Sequence, residues 1–246
     1  MVFIAWGITG AGHFLRETFA LMEQVAASKD TKVTAFLTRA AIEVVRMYGL
    51  WDSLRKLSNG TYYSEILSQE SEGWSSPSAG RLSRGTYRVM LVSPASANTV
   101  AKLRYGIADT AVTNAAAQAM RSGTPVLILP TDQTTEEVET TLPCRVDREA
   151  CKACQDCPSA RACRSAAFER VQDKMRIRLS LCIGCCACVS ACPYGATRFG
   201  ERIKIKPRMI DVENVVALRS MAGLTVQRSP EELKQSIHKL LEGSGN

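Results

Sequence analysis

The sequence predicts an α/β protein built on a doubly wound parallel sheet, with a cysteine-rich module inserted towards its C-terminal end. Three observations carry this expectation. Short apolar runs alternate with stretches of helical period, and the runs lack polar alternation, as strands covered on both faces do. All but one of the ten cysteines fall between positions 151 and 192.

Taken in order, residues 2–6 (VFIAW) read as a first strand ended by Gly7. A helix follows over 13–27, with Phe14, Thr18, Leu21, Met22 and Val25 on one face. The pattern repeats as a strand at 32–37 (KVTAFL) and a helix over 39–48, closed by Gly49 as a C-cap. Residues 58–86, rich in Ser and Gly, read as a long loop or lid. A third strand at 88–92 (RVMLV) leads to a turn at 93–98 and a helix from about Thr99. A second helix at 109–121 ends at Gly123, and a fourth strand covers 125–129 (PVLIL). After Pro207 the composition is again that of a globular core. A helix is expected over 212–221 and a strand over 224–226, and Ser229 with Glu232 forms a capping box for a last helix to 241. The module must therefore interrupt the α/β domain: residues 1–142 and 207–246 form one unit, residues 143–206 the insert.

The chain has 246 residues and a formal charge of +7, from 31 Lys and Arg against 24 Asp and Glu. Such a balance suits solvated surface charge, or attraction of a phosphate, a carboxylated substrate or an acidic donor protein. Nucleic-acid binding is disfavoured, because aromatics make up only 6% and the basic residues are dispersed. The N-terminus runs from apolar residues into a Gly-rich turn without a basic region, so it reads as a strand rather than a signal peptide. No apolar run is long enough for a membrane span. The expectation is a cytoplasmic protein whose cysteines bind metal rather than forming disulfides.

Cys151, Cys154 and Cys157 stand at two-residue intervals, with Cys163 beyond them; Cys182, Cys185 and Cys188 repeat the intervals, with Cys192 and Pro193 behind. The second run has the spacing of bacterial 4Fe-4S ferredoxins. Three closely spaced thiolates wrap three corners of a cube, and in two-cluster modules the fourth Cys of each run ligates the other cluster. The expected sets are Cys151, Cys154, Cys157 and Cys192 for one cluster, and Cys182, Cys185, Cys188 and Cys163 for the other. Structural zinc is the competing reading of any C-x2-C pair, but a third Cys at the same step and the Cys-Pro ending speak against it. The first run departs from the standard form in its longer last gap and in Pro158 after the third Cys. Cys144 and Cys186 stand outside the pattern, as packing residues or spare thiols.

GITGAGH follows the first strand and opens the first helix, where free N–H groups and the helix dipole suit a phosphate. It is neither a Walker A loop nor the G-x-G-x-x-G fingerprint. Further on, PASANT followed by AKLRYGIAD resembles the signature of the homo-oligomeric flavin-containing Cys decarboxylase superfamily, and GITG matches its first phosphate turn. The resemblance covers the α/β portion and implies a Rossmann-like fold, FMN at a subunit interface and an assembly built from trimers. It implies that Thr9 and Gly10 meet the phosphate, that Thr38 lies by the ribityl chain, and that Ser96, Ala97 and Asn98 line the flavin. Gly7, Ser93 and Ala95, in the same motifs, complete the cofactor-binding candidates. Decarboxylating members use a His before the third strand; the two histidines here, His13 and His238, leave that position empty.

A flavin fold with an inserted two-cluster ferredoxin module most resembles the archaeal pterin reductases of the acceptor-dependent type. This implies reduction of dihydromethanopterin, or a related dihydropterin, with electrons from a ferredoxin-like donor. The chemistry is consistent: each cluster carries one electron, reduction of a C=N bond takes two, and a flavin joins the two regimes. No acid-base pair is singled out as catalytic, because hydride transfer to a pterin needs positioning most. The alternative is a non-enzymatic electron-transfer flavoprotein acting between protein partners. Of the remaining candidates, His13 reads as a first-turn residue or a phosphate neighbour, Asp109 and Asn114 as helix caps ahead of flavin contacts, and Lys102 as a solvated lysine ahead of a phosphate partner. Tyr62 and Trp74 read as loop packing ahead of closure over a pterin, and Trp6 as core.

Overall fold

The computed structural model describes residues 1–28 and 30–242. Along the chain run β1 (Val2–Ile8), α1 (Leu15–Ala26), β2 (Thr31–Leu37), α2 (Arg39–Met47), α3 (Trp51–Leu57), β3 (Ile66–Ser68) and α4 (Gln69–Glu72). Then come β4 (Val89–Ala95), α5 (Ala97–Arg104), α6 (Ala111–Ser122), β5 (Val126–Pro130), β6 (Val138–Thr141), β7 (Arg145–Val146) and α7 (Pro158–Ala162). The remainder is β8 (Phe168–Val171), β9 (Lys174–Ile177), α8 (Ala187–Ala191), β10 (Thr197–Arg198), β11 (Arg202–Ile205), α9 (Met209–Arg219), β12 (Leu224–Val226) and α10 (Pro230–Glu242).

The chain divides into two compact units. One comprises Met1–Ile42, Ser53–Val138 and the segment from Lys206 onward; the other comprises Glu43–Asp52 and Glu139–Ile205. The first holds a six-stranded sheet in the order β12-β5-β4-β1-β2-β3, with every pairing parallel. All of β4 and β5 is buried, as is β1 from Ile4 on, which is why these strands show no alternation. Trp6 is fully buried within this core. Helix α10 starts where its capping residues predict: Glu232 N–H donates to Ser229 Oγ at 3.2 Å, and the Glu232 carboxylate reaches back to Arg228 N–H.

The segment 58–86 is not the loop that its composition suggests. It contains β3, paired with β2 on the sheet edge, and turns of 3-10 helix over Pro77–Arg84 that bury Ala79 and Leu82. Its serines serve the backbone: Ser58 Oγ donates to Val33 O at 2.9 Å, and Ser68 and Ser71 form a capping box on α4. Two boundaries also differ from expectation. Strand β1 runs through Gly7 to Ile8, and β4 runs on to Ala95, so that α5 starts at Ala97 rather than Thr99. No helix among the described residues is long and apolar enough to cross a membrane.

The second unit is made of short pieces: the β8-β9 hairpin, the pairs β10-β7 and β11-β6, and helices α7 and α8. Its core is small, formed by Cys144, Ala167, Ile177, Cys182 and Cys188. Within it Gly49 and Gly184 meet backbone to backbone. A Cβ on Gly184 would lie 2.2 Å from Gly49 N, and both residues have positive φ. Neither position admits a side chain.

Candidate functional site

The strand order places a switch point between β1 and β4, and in open parallel sheets the ligand crevice lies outside the C-terminal strand ends at such a point. One hydroxyl ties the two ends together. Thr9, fully buried, donates to Pro94 O at 2.7 Å and accepts from Ser96 N–H at 2.8 Å. Behind it, Trp6 Nε1 donates to Ser93 O at 3.2 Å, and the Ser93 and Thr18 hydroxyls bond each other at 2.7 Å. Thr131 N–H, past the end of β5, donates to Ala95 O at 3.0 Å. The predicted flavin residues therefore split in two. Thr9, Thr38, Ser93 and Ala95 are buried framework, while Ser96 and Ala97 are half-buried and Asn98 is exposed at the first turn of α5.

Two helix N-termini also open at these strand ends. Thr38 Oγ1 accepts from Ala41 N–H at 3.2 Å and caps α2. The Ser96 hydroxyl is not used as a cap on α5, whose first-turn N–H groups have no partner within the helix. Gly10 lies against α2, where a Cβ would come within 2.5 Å of Ala40 Cβ. Gly7 serves packing inside β1, because a Cβ there would meet Val112 Cγ1 at 2.8 Å. Helix N-termini, a glycine at close approach and an open rim suit a phosphorylated flavin.

His13 stacks on Phe14 at 3.8 Å between ring centroids, and burial lowers its pKa against the pull of Glu17 and Asp132. The imidazole is therefore held towards its neutral form. Thr131 and Asp132, joined by a 2.5 Å hydrogen bond, were not anticipated from sequence. Their signal was a polar pair directly after a fully apolar strand. The other candidates have their own partners or exposure. Thr110, not Asp109, caps α6; Asn114 donates to Thr110 O; and Asp109 pairs with Lys102 at 2.7 Å. Trp74 is 88% exposed, so the expectation of loop packing fails there, whereas Tyr62 lies under the Arg81 guanidinium.

In the second unit, Cys151, Cys154, Cys157 and Cys192 line one cavity, together with Val146, Phe168 and Met175. The Cys192 thiol is held below its ordinary pKa by the N–H groups of Tyr194, Thr197 and Ala196, which outweigh the opposing effect of burial. Cys182 and Cys188 lie buried in the small core with Cys163 packed against them, while Cys185 is exposed. Cys163 Sγ accepts from Ala167 N–H at 3.3 Å, and Cys182 Sγ from Gly184 N–H at 3.4 Å. The Cys144 thiol beside them holds Cys182 and Cys188 below the ordinary thiol range. Thiolate is the form that binds metal. Cys186 packs against the same small core and donates its thiol to Gly184 O at 3.4 Å. Among the described residues no three His, Cys, Asp or Glu side chains converge closely enough for a single ion. Sulfur donors spread round a cavity and backed by N–H groups fit an iron-sulfur cube.

Comparison with known proteins agrees with this geometry. The flavoprotein family profile matches residues 2–140, and the 4Fe-4S binding domain profile matches residues 175–198. The dihydromethanopterin reductase (acceptor) of Methanosarcina mazei is 40% identical over 94% of this chain and 96% of its own. The Methanocaldococcus jannaschii protein of the same name is 43% identical over 94% and 93%. Among solved structures, Burkholderia xenovorans DmrB in complex with FMN, described as a cubic protein cage for redox transfer, superposes with a TM-score of 0.61. It is 24% identical, over 98% of this chain and 96% of that one, and shares the fold.

Fold and site together define a class, the oxidoreductases that are at once flavoproteins and 4Fe-4S proteins. Within that class, this chain belongs to the family of the acceptor-type dihydromethanopterin reductases.

Proposed function

We propose that the protein reduces dihydromethanopterin, or a related dihydropterin, to the tetrahydro form, using FMN and two 4Fe-4S clusters charged by a ferredoxin-like donor. The observation that carries the reading is the presence, in one chain, of a switch-point crevice and a paired cysteine module, in a sequence 40–43% identical to two proteins named for this reaction. The domain limits that go with it are 1–142 and 207–246 for the flavin part and 143–206 for the clusters, in a cytoplasmic homo-oligomer built from trimers. Assembly is supported by the cage described for DmrB and by the dodecameric FMN-dependent Ubix-like decarboxylase of Escherichia coli O157:H7, which shares the fold at a TM-score of 0.50.

On this reading Gly10 and the first turns of α2 and α5 hold the FMN phosphate, and Thr38 lies beside the ribityl chain. Ser96, Ala97 and Asn98 border the ring. Thr9 and Ser93 hold that border in place through the bonds already described, and Gly7 lets α6 close on β1. Bound FMN supplies the exchange between single electrons and the pair that a C=N bond requires. The first cluster falls to Cys151, Cys154, Cys157 and Cys192. The second falls to Cys182, Cys185, Cys188 and Cys163. Support for two clusters comes from the repetition of the cysteine run and of its N–H donors in both halves.

The test is a titration. Anaerobically purified protein is assayed for flavin and iron, reduced chemically, and mixed with dihydromethanopterin. Reoxidation with formation of the tetrahydro product is expected. A reduced protein that no dihydropterin reoxidises, but that a protein acceptor does, would make the chain an electron carrier instead.

A further inference from the structure

The cysteine-rich unit is an internal repeat related by a pseudo-two-fold axis. Cys151, Cys154 and Cys157 correspond in order to Cys182, Cys185 and Cys188, and Ala153 and Gly184, at matching positions, both have positive φ. The pairing Phe168↔Ile177 in one half corresponds to Thr197↔Val146 in the other. Ala167 N–H donates to Cys163 Sγ, and Ala196 N–H likewise backs Cys192. Cys163 is thus the structural counterpart of Cys192, and neither fourth-ligand position falls to Cys144.

The same correspondence locates Cys144. It precedes Cys151 by as many residues as Met175 precedes Cys182, and Met175 lines the cavity of Cys151, Cys154, Cys157 and Cys192. Cys144 is 1% exposed and shares the small core with Cys182 and Cys188, against which Cys163 packs. The wall of one pocket therefore carries a thioether, which cannot donate, and the equivalent wall of the other carries a thiol, which can.

We propose that Cys144 is a positioning residue whose S–H donates to the sulfurs of the second cluster, so that the two clusters differ in potential and the one beside Cys144 is the easier to reduce. This rests on the two-cluster reading above. The physical ground is that a donor to cluster or ligand sulfur stabilises the more negative, reduced state, and hydrogen bonding to the sulfurs is among the factors that set cluster potential. Removing a hydrogen bond to a charged group shifts an equilibrium by on the order of tenfold.

The experiment is an anaerobic redox titration followed by electron paramagnetic resonance, with iron analysis, on the whole protein as wild type, Cys144→Ala, Cys144→Ser and Cys186→Ala. All four are expected to hold the same iron. In Cys144→Ala one midpoint falls, so that at fixed potential the reduced-to-oxidised ratio of that cluster drops by on the order of tenfold. Cys144→Ser keeps a donor and stays near wild type, and Cys186→Ala moves neither midpoint. Unmoved midpoints in Cys144→Ala at full iron would overturn the proposal alone. Loss of about half the iron in that variant would also overturn it, by making Cys144 a ligand. Iron for a single cluster in the wild type would bring down the two-cluster reading and this proposal with it.

Discussion

The α/β unit and the cysteine-rich unit are stabilised in different ways. The first buries Trp6, Phe36, Tyr87, Met90 and Leu91 round a parallel sheet, and its polar bonds refine a core that already exists. Among the described residues, the second gathers its buried core round Cys144, Ala167, Ile177, Cys182 and Cys188, so that thiols make up much of it. A core of small residues and thiols gives little to set against chain entropy. We expect the first unit to fold without its cofactor and the second to depend on metal for its stability.

The largest effect follows directly. Removal of iron under anaerobic conditions is expected to unfold the cysteine-rich unit, since in small domains with a structural metal the binding free energy is folding free energy, on the order of 10 kcal/mol for zinc fingers. Hydrogen exchange should then show peptides of 143–206 unprotected and those of β1, β4 and β5 still protected. Equal protection of both sets in iron-free protein would erase the contrast.

A smaller effect runs the other way. Thr9→Val removes the donor to Pro94 O and the acceptor for Ser96 N–H, both beside a fully buried hydroxyl. Two groups left without partners cost about 2–4 kcal/mol. Thermal unfolding of the α/β unit should come earlier and flavin retention should fall, with iron content unchanged. Loss of iron in this variant would show that the two units are not independent.

The smallest expected effect is of acid on the surface of the cysteine-rich unit. Hydrogen bonding from Arg145 holds the Glu201 carboxylate below its usual range, and the N–H of Ala150, with that of Glu149 and the charge of Arg198, does the same for Asp147. Carboxylates with lowered folded pKa stabilise above their unfolded value, and that contribution is lost as pH falls through the lowered one. The destabilisation caused by Arg145→Gln should therefore be present at neutral pH and shrink below about pH 4. Both carboxylates lie near the surface and are partly open to solvent, so the effect is slight. A wild-type-to-variant gap in melting temperature that stays constant down to acid pH would refute the assignment.

Much of this was legible in the sequence, for physical reasons. β1, β2, β4 and β5 are buried on both faces and show as unbroken apolar runs, and β12 follows a clear helix. β3 has three residues on a sheet edge, too few for a period, and its neighbouring serines cap and brace backbone while looking like loop composition. The cysteine runs stand out because a cube demands close, regular spacing. Cys144 does not, because its place depends on the correspondence of two halves of a fold, not on its distance from the run. Thr131 and Asp132 belong to no motif and are brought to the switch point only by the sheet.

The presence of Cys192 among the residues lining the cavity of the first run has a consequence for how such a module could arise or be transplanted. On the proposed ligand sets, the stretch 175–198, recognisable by itself as a 4Fe-4S domain, carries three thiols of one set and one thiol that faces the cavity of its twin. Cut out and grafted elsewhere, it would be an incomplete donor set. On that assignment the two halves have to be transplanted together.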